Sequence, residues 1–236
     1  MTEENPFAKL SLSSQVCLFE LDKRSKCTSC GKSTKYYCQN CAEPCHQIMG
    51  KVPKVPLPIK ITILKHQSEL NSKITAVHSK LIAPDDVDLV TIKGQSEIEK
   101  LEALDHEYNV VLFPHERAVS VGSLDSKNVQ NFIFIDGTWS QAKSISTRFK
   151  KVKFAVITHV PVHGTLFWRY QSLGKSALST IEAIYYFLKE ITGDKSGKFD
   201  DLLWFYSFNY TLIQDYYKKH TEKKFTDKHQ LEYIKY

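Results

Sequence analysis

The chain has 236 residues, 42% of them hydrophobic and 25% charged, with a formal net charge of +6. This is an ordinary balance for one main globular domain with a sizeable core and a small appendage, and the positive excess favours a polyanionic partner such as nucleic acid. No apolar run reaches about eighteen residues, and Met1 to Leu12 lacks the basic and apolar regions of a secretory signal; no membrane span is expected, and an intracellular protein is expected.

Residues 1–24 are polar and weakly periodic and read as a flexible lead-in with some helix. All six cysteines lie at or before Cys45, and crowding at one end points to a metal rather than to disulfides. Cys27-Thr-Ser-Cys30 and Cys38-Gln-Asn-Cys41 are two C-x-x-C pairs separated by seven residues, within a module spanning 25–50. Two such knuckles supply the tetrahedral four-sulfur shell that suits structural zinc, and Gly31 fits the tight turn after Cys30. Cys45 and His46 are spare ligand candidates, and the alternative is a set of free or redox-active thiols. Lys26, Lys32, Lys35, Tyr36 and Tyr37 are interleaved with the knuckles. Two readings stand level: these residues grip and stack on RNA, or the tyrosines pack the module against the main domain.

Pro53, Pro56 and Pro58 mark an extended linker into the main domain, 51–217. Leu57 to Leu64 alternates like a strand, while Asn109 to Phe113 and Phe132 to Ile135 are short continuous apolar runs, expected of strands buried on both faces. Val152 to Thr158 and Leu166 to Tyr170 read as further strands. Ser96 to His106, with Ile98, Leu101 and Leu104 inward, and Ser140 to Phe149 read as helices. Ser179 to Ile191 carries one apolar stripe, and Ser179 and Glu182 have capping-box spacing. A second, nearly all-apolar helix is predicted from about Asp200 to Lys219, before a charged tail, 218–236, expected to fray. Strands interleaved with helices predict an α/β domain with a mostly parallel sheet flanked by helices, whose ligands sit beyond the carboxyl ends of the strands.

Chemistry is therefore sought after strands. Ile133-Phe134-Ile135 runs into Asp136-Gly137-Thr138-Trp139, and Ser140-Gln141-Ala142-Lys143 opens a helix. Asp136 stands where an active-site carboxylate is expected, and Gly137 permits close backbone approach. Each residue also has a bland reading. Thr138 and Gln141 have capping-box spacing, Asp136 suits helix-end amides, and Trp139 suits a core. Lys143, Arg148, Lys150, Lys151 and Lys153 form a basic stretch that suits either an RNA track or a solvated face.

The DGTW–QAK run resembles the signature of the DTW-domain family. Other blocks of that family occur in order: Lys65-His66 with Glu69, then Ser72, Lys73 and Thr75; Leu112-Phe113-Pro114; Arg169; and Leu178-Ser179-Thr180-Ile181-Glu182-Ala183. Together with the cysteines they span roughly residues 27 to 215. The chain departs from the family pattern at Gln67, where proline is usual, in the Tyr-Gln-Ser after Arg169, and after Arg148; these concern loop details.

The resemblance implies a SPOUT-like domain tied in a trefoil knot. It implies transfer of the 3-amino-3-carboxypropyl group of S-adenosylmethionine (SAM) to N3 of a tRNA uridine, in the D-loop, with release of methylthioadenosine. SAM is then a co-substrate, zinc a structural ion and tRNA the partner, with no obligatory protein partner. On this reading Asp136 is the base, with Thr138 and Trp139 beside it. Ser179 and Thr180 at a helix N-terminus hold the carboxylate of SAM, with Glu182 in the same block. Leu112, Phe113, Pro114 and Leu178 line its adenosine slot. Trp139 stacks on the target base or on adenine, and Arg169 holds tRNA phosphate or the carboxylate. Lys143, Arg148, His66 and Lys73 face RNA. The rivals are RNA methylation by SAM on the same fold, a non-enzymatic zinc-containing RNA-binding protein, and a hydrolase pairing Asp136 with His115 or His159. The hydrolase lacks a G-x-S-x-G elbow.

Overall fold

The structure, a computed structural model, describes residues 5–69, 74–93, 96–160, 164–168, 177–220 and 233. The main-domain strands are β1 (Lys60–His66), β2 (Val87–Ile92), β3 (Asn109–Leu112), β4 (Ala118–Ser120), β5 (Asn131–Asp136) and β6 (Lys153–Val156). The main-domain helices are α1 (Ala76–Ile82), α2 (Ser96–Leu104), α3 (Trp139–Ser146), α4 (Thr180–Thr192) and α5 (Trp204–Lys219), and the lead-in holds one short helical turn, Val16–Phe19. One six-stranded sheet runs β2-β1-β5-β3-β6-β4, and every pairing in it is parallel.

The apolar runs explain why β5 and β3 are central. Phe132 and Phe134 face α4, where both rings meet Phe187 at 4.6 and 5.5 Å between centroids. Ile133 and Val111 face the other way, into a second core built with Leu64, Leu101, Ile145, Phe149 and Phe154. A strand clothed on both faces has no polar side to alternate with. The period of two then carries Phe132, Phe134 and Asp136 onto one face, so Asp136 emerges beside the start of α4.

Several sequence expectations are corrected. Leu166–Trp168 is not a strand, because its amides serve the α4 start rather than a ladder: Leu166 N donates to Glu182 Oε1 at 2.7 Å. Residues 169–170 of that expected strand, including Arg169, lie outside the described residues. β1 begins at Lys60, later than the alternation suggests, and α1, β2 and β4 are additional elements. Their signals are weak: α1 is buried nearly all round, and β4 is three residues long.

The lead-in, read as flexible, is docked from residue 5 onward. Phe7 packs edge-on against Tyr206 and Tyr210, Ser13 donates from N and Oγ to Asp201, and Trp204 Nε1 donates to the Ser13 carbonyl at 3.0 Å. Acidic residues at the head of the α5 region thus bind an extended segment that carries no regular pattern of its own. In the tail, where fraying is expected, Tyr233 is buried against Tyr210, and its carbonyl accepts from Gln214.

Each C-x-x-C pair caps a two-stranded antiparallel hairpin, Ser25–Lys26 with Ser33–Thr34 and Tyr37–Cys38 with Glu43–Pro44. Gly31 takes φ +69° after Cys30, as expected, and Ala42 takes φ +53° at the matching place after Cys41. The linker residues Val52, Val55 and Leu57 are buried in the main core, so the module is joined through packed rather than loose chain.

Candidate active site

The carboxyl ends of β3, β5 and β6 and the N-terminus of α4 surround a cavity of about 410 Å³. That size lies within the roughly 300–1,000 Å³ usual for small-molecule sites. Asp136 lines it at only 8% exposure, and the Thr180 hydroxyl donates to Asp136 Oδ1 in a short hydrogen bond. The carboxylate is thereby fixed toward the helix start.

Leu112, Phe113 and Pro114 form one wall, joined by Trp139, whose ring lies 5.8 Å from that of Phe113. Leu178, Ser179 and Thr180 form the facing wall. Nine of the sequence-selected residues thus meet around one space, although up to 68 positions separate them in the chain. Gly137 is needed for close approach: a Cβ there would sit 3.3 Å from the His66 Cβ and 3.0 Å from Gln141 Oε1.

Three expected ligand contacts turn out to have other partners. The Ser179 hydroxyl donates to Glu182 Oε2 at 2.7 Å, and Ser179 N donates to the same oxygen at 2.8 Å. Glu182 lies behind the wall at 3% exposure, where it also accepts from Thr165 Oγ1 at 2.6 Å and Leu166 N at 2.7 Å. Four donors converge on one carboxylate that the sequence block grouped with the cofactor. The Thr138 hydroxyl caps α3, accepting from Gln141 N, while Gln141 Oε1 accepts from Thr138 N at 2.7 Å.

Lys65, which sequence reasoning passed over as a site residue, stands beside Asp136 without lining the cavity. It pairs in register with Asp136 across β1 and β5 and is 7% exposed. Burial pulls its ammonium pKa down, and the Asp136 carboxylate pushes it back up. The available signal was the period of β1, which puts Ile61, Ile63 and then a lysine on one buried face. Thr75 also lines the cavity, and its Oγ1 accepts from Ile181 N at 3.3 Å.

His66 ends β1 next to Gly137. Lys143 and Arg148 are exposed on and after α3, outside the cavity lining, and Lys73 lies outside the described residues. The basic stretch is held from beneath: Asp105 accepts from Lys150 N, Lys151 N and Val152 N at 2.7–3.0 Å. Burial opposes ionisation of Asp105, but these backbone donors outweigh it and its pKa is lowered. A carboxylate depressed in the folded state stabilises above its unfolded pKa of about 3.9 and loses that contribution as pH falls through the folded value. The thermal midpoint of the native chain is therefore expected to drop between about pH 5 and pH 3, and Asp105→Ala to start lower and drop less. Parallel melting curves across that range would contradict this.

The Cys27, Cys30, Cys38 and Cys41 sulfurs all lie within 4.8 Å of one another, with Cys30 and Cys38 at 3.6 Å. Zinc–sulfur bonds of about 2.3 Å put tetrahedral sulfurs about 3.8 Å apart, so the donor set fits that ion. Hydrogen bonding with Cys30 first, and then burial, pushes the Cys41 thiol pKa up; a divalent cation bound by the four sulfurs would favour the thiolate instead. Cys45 is buried in the main core, and neither it nor His46 joins the cluster. Among the described residues all six cysteines are free of disulfides. Of the two readings of the tyrosines, packing holds: Tyr37 OH lies 2.8 Å from His78 Nε2, and Tyr36 sits edge-on to Phe208.

The family model of the DTW domain matches residues 35–214. The chain belongs to the DTW-domain family. A Mus musculus protein named tRNA-uridine aminocarboxypropyltransferase 1 is 33% identical over 267 residues, covering 91% of this chain and 86% of that protein. Proteins of the same name from Xenopus tropicalis and Homo sapiens are also 33% identical, over 90% and 91% of this chain and 88% and 86% of theirs. No solved structure matches. The DTW match includes Asp136, Thr138 and Trp139 and the facing wall at Ser179 and Thr180, and it begins between the two cysteine pairs.

Proposed function

We propose that this chain is a tRNA-uridine aminocarboxypropyltransferase that moves the 3-amino-3-carboxypropyl group of SAM onto N3 of a uridine, in the D-loop by family resemblance. The observation that carries the reading is the Asp136 carboxylate, tethered by Thr180 in a cavity beyond the carboxyl ends of parallel strands. The printed names of the relatives support it.

In this reading Asp136 takes the N3 proton as N3 forms its bond to the methylene carbon. The carbon–sulfur bond breaks, and its electron pair leaves on sulfur as neutral methylthioadenosine. No metal is required, since the sulfonium is already a good leaving group. Which carbon of SAM reacts depends on which is held in line with N3, so the walls do the selecting. Leu112, Phe113 and Leu178 supply apolar surface for the adenosine, and Trp139 a stacking face. The Thr180 amide, at the head of α4, suits the arm's carboxylate; the Ser179 hydroxyl serves Glu182 instead.

The four clustered cysteines hold a structural zinc that ties the two hairpins together. Metal analysis is expected to find about one zinc per chain, falling severalfold in Cys38→Ser; an equal zinc content in the two would reject the site. Among the described residues no helix is long and apolar enough to cross a membrane. A tRNA substrate supports an intracellular location, in the nucleus, the cytoplasm or both. The SPOUT-like topology with a trefoil knot is proposed on the family resemblance.

The deciding experiment incubates purified protein with tRNA and SAM labelled in its carboxyl carbon. Label in tRNA together with methylthioadenosine is expected. Label entering tRNA only from methyl-labelled SAM, with S-adenosylhomocysteine as the product, would replace this reading by methylation.

A further inference from the structure

A second groove, of about 530 Å³, opens between the cysteine module, α1 and α5. Arg24, Lys32 and Lys35 line its module side, and among the described residues no carboxylate lines it. Among the described residues none of these three cations forms an ion pair. Arg24 is aimed by the module's own backbone: its Nε donates to Ser33 Oγ at 2.9 Å and its Nη2 to the Ser33 carbonyl at 2.8 Å. Lys35 Nζ stands 5.2 Å from the centre of the Tyr36 ring. The far side is apolar and half exposed, formed by Trp168 and by Leu212 and Ile213 of α5.

The groove shares a wall with the Asp136 cavity. Thr75 lines both. Phe167 faces the cavity while its neighbour Trp168 faces the groove, their rings 4.4 Å apart and inclined at 62°. Glu182 pins this partition through Thr165 and Leu166.

We infer that the groove holds a single-stranded stretch of the tRNA substrate adjoining the target uridine, with phosphates on Arg24, Lys32 and Lys35 and a base against Trp168. The inference rests on the transfer reading of the cavity. A uridine splayed into that cavity leaves its neighbour unstacked, and an aromatic face beside unpaired cations is the surface that receives such a nucleotide. The zinc module then contributes RNA-binding surface through its cations while its tyrosines hold it to the domain.

The test measures binding of a fluorescent tRNA transcript to the full chain across a salt series, apart from turnover. Among the described residues neither the Lys32 nor the Lys35 ammonium is hydrogen-bonded, so Lys32→Ala/Lys35→Ala is expected to keep its zinc content and melting temperature. Its tRNA affinity should fall by about tenfold or more, and the slope of log K against log salt should shrink by about 1.4, roughly 0.7 per cation. Calorimetric binding of SAM should not change. Trp168→Ala should weaken tRNA binding severalfold with the slope unchanged, and Trp168→Phe should restore most of it. Wild-type affinity and slope in the lysine variant would overturn the inference and leave the groove to another occupant, such as a protein. The transfer reading fails separately: lysine-dependent tRNA binding without methylthioadenosine release would sink that reading and leave this one standing.

Discussion

Asp136→Asn is expected to lower the rate of transfer to tRNA by about 10²–10⁴-fold while SAM still binds. Asparagine keeps the volume and can accept the Thr180 hydroxyl as the carboxylate does, so the wall beside α4 should stay in place. What it cannot do is take the N3 proton. The deficit should therefore shrink at alkaline pH, where solvent removes that proton unaided, and single-turnover rates across pH would reveal it. A purely structural role for Asp136 predicts a deficit independent of pH, and a rate within threefold of wild type would remove Asp136 from the chemistry. Thr180→Val tests positioning in the same assay. Loss of the tether should cost about tenfold in kcat with less change in KM for SAM, because the carboxylate remains but is no longer aimed.

The second large effect is structural and falls on a residue that the sequence block groups with the cofactor. Glu182→Ala removes the single acceptor for Thr165, Leu166 and both donors of Ser179. The hydroxyls can turn to other partners. The Leu166 and Ser179 amides cannot, and each orphaned buried amide costs about 1–3 kcal/mol. With about 2–4 °C per kcal/mol at this chain length, the melting temperature should fall by roughly 10 °C. Phe167 and Leu178, the chain neighbours of Leu166 and Ser179 that this carboxylate holds, line the cavity, so SAM affinity should fall as well. Glu182→Gln keeps one acceptor oxygen and should lie between the two. A Glu182→Ala protein melting within about 2 °C of wild type would show that the clamp carries little of the fold.

These two carboxylates illustrate what can be told from spacing. Asp136 was legible because a continuous apolar run must be a strand buried on both faces, and the polar residue that ends it must stand at the strand's carboxyl tip. Glu182 was legible as the capping-box residue three positions after the N-cap Ser179, and the structure agrees. Its further duty to Thr165 and Leu166 was not, because those partners lie 17 and 16 positions away, where the sequence suggests a strand from Leu166 and the described residues 166–168 form none. Lys65 was passed over for a related reason. Its importance comes from a register, Lys65 opposite Asp136, that only strand pairing creates.

By itself, the sequence determined whatever is encoded locally: the two cysteine knuckles, the alternation of buried strands with capped helices, and the glycine after the central strand. Short-range periodicity and turn chemistry act within about ten residues, and for these features they sufficed. Only the tertiary structure decided which of the cap-like hydroxyls face the cavity, that the lead-in is strapped to α5, and that the cations of the cysteine module border a groove sharing a wall with the Asp136 site. Contacts of that kind join residues far apart in the chain through surfaces that exist only once the sheet has formed, and no local pattern carries them.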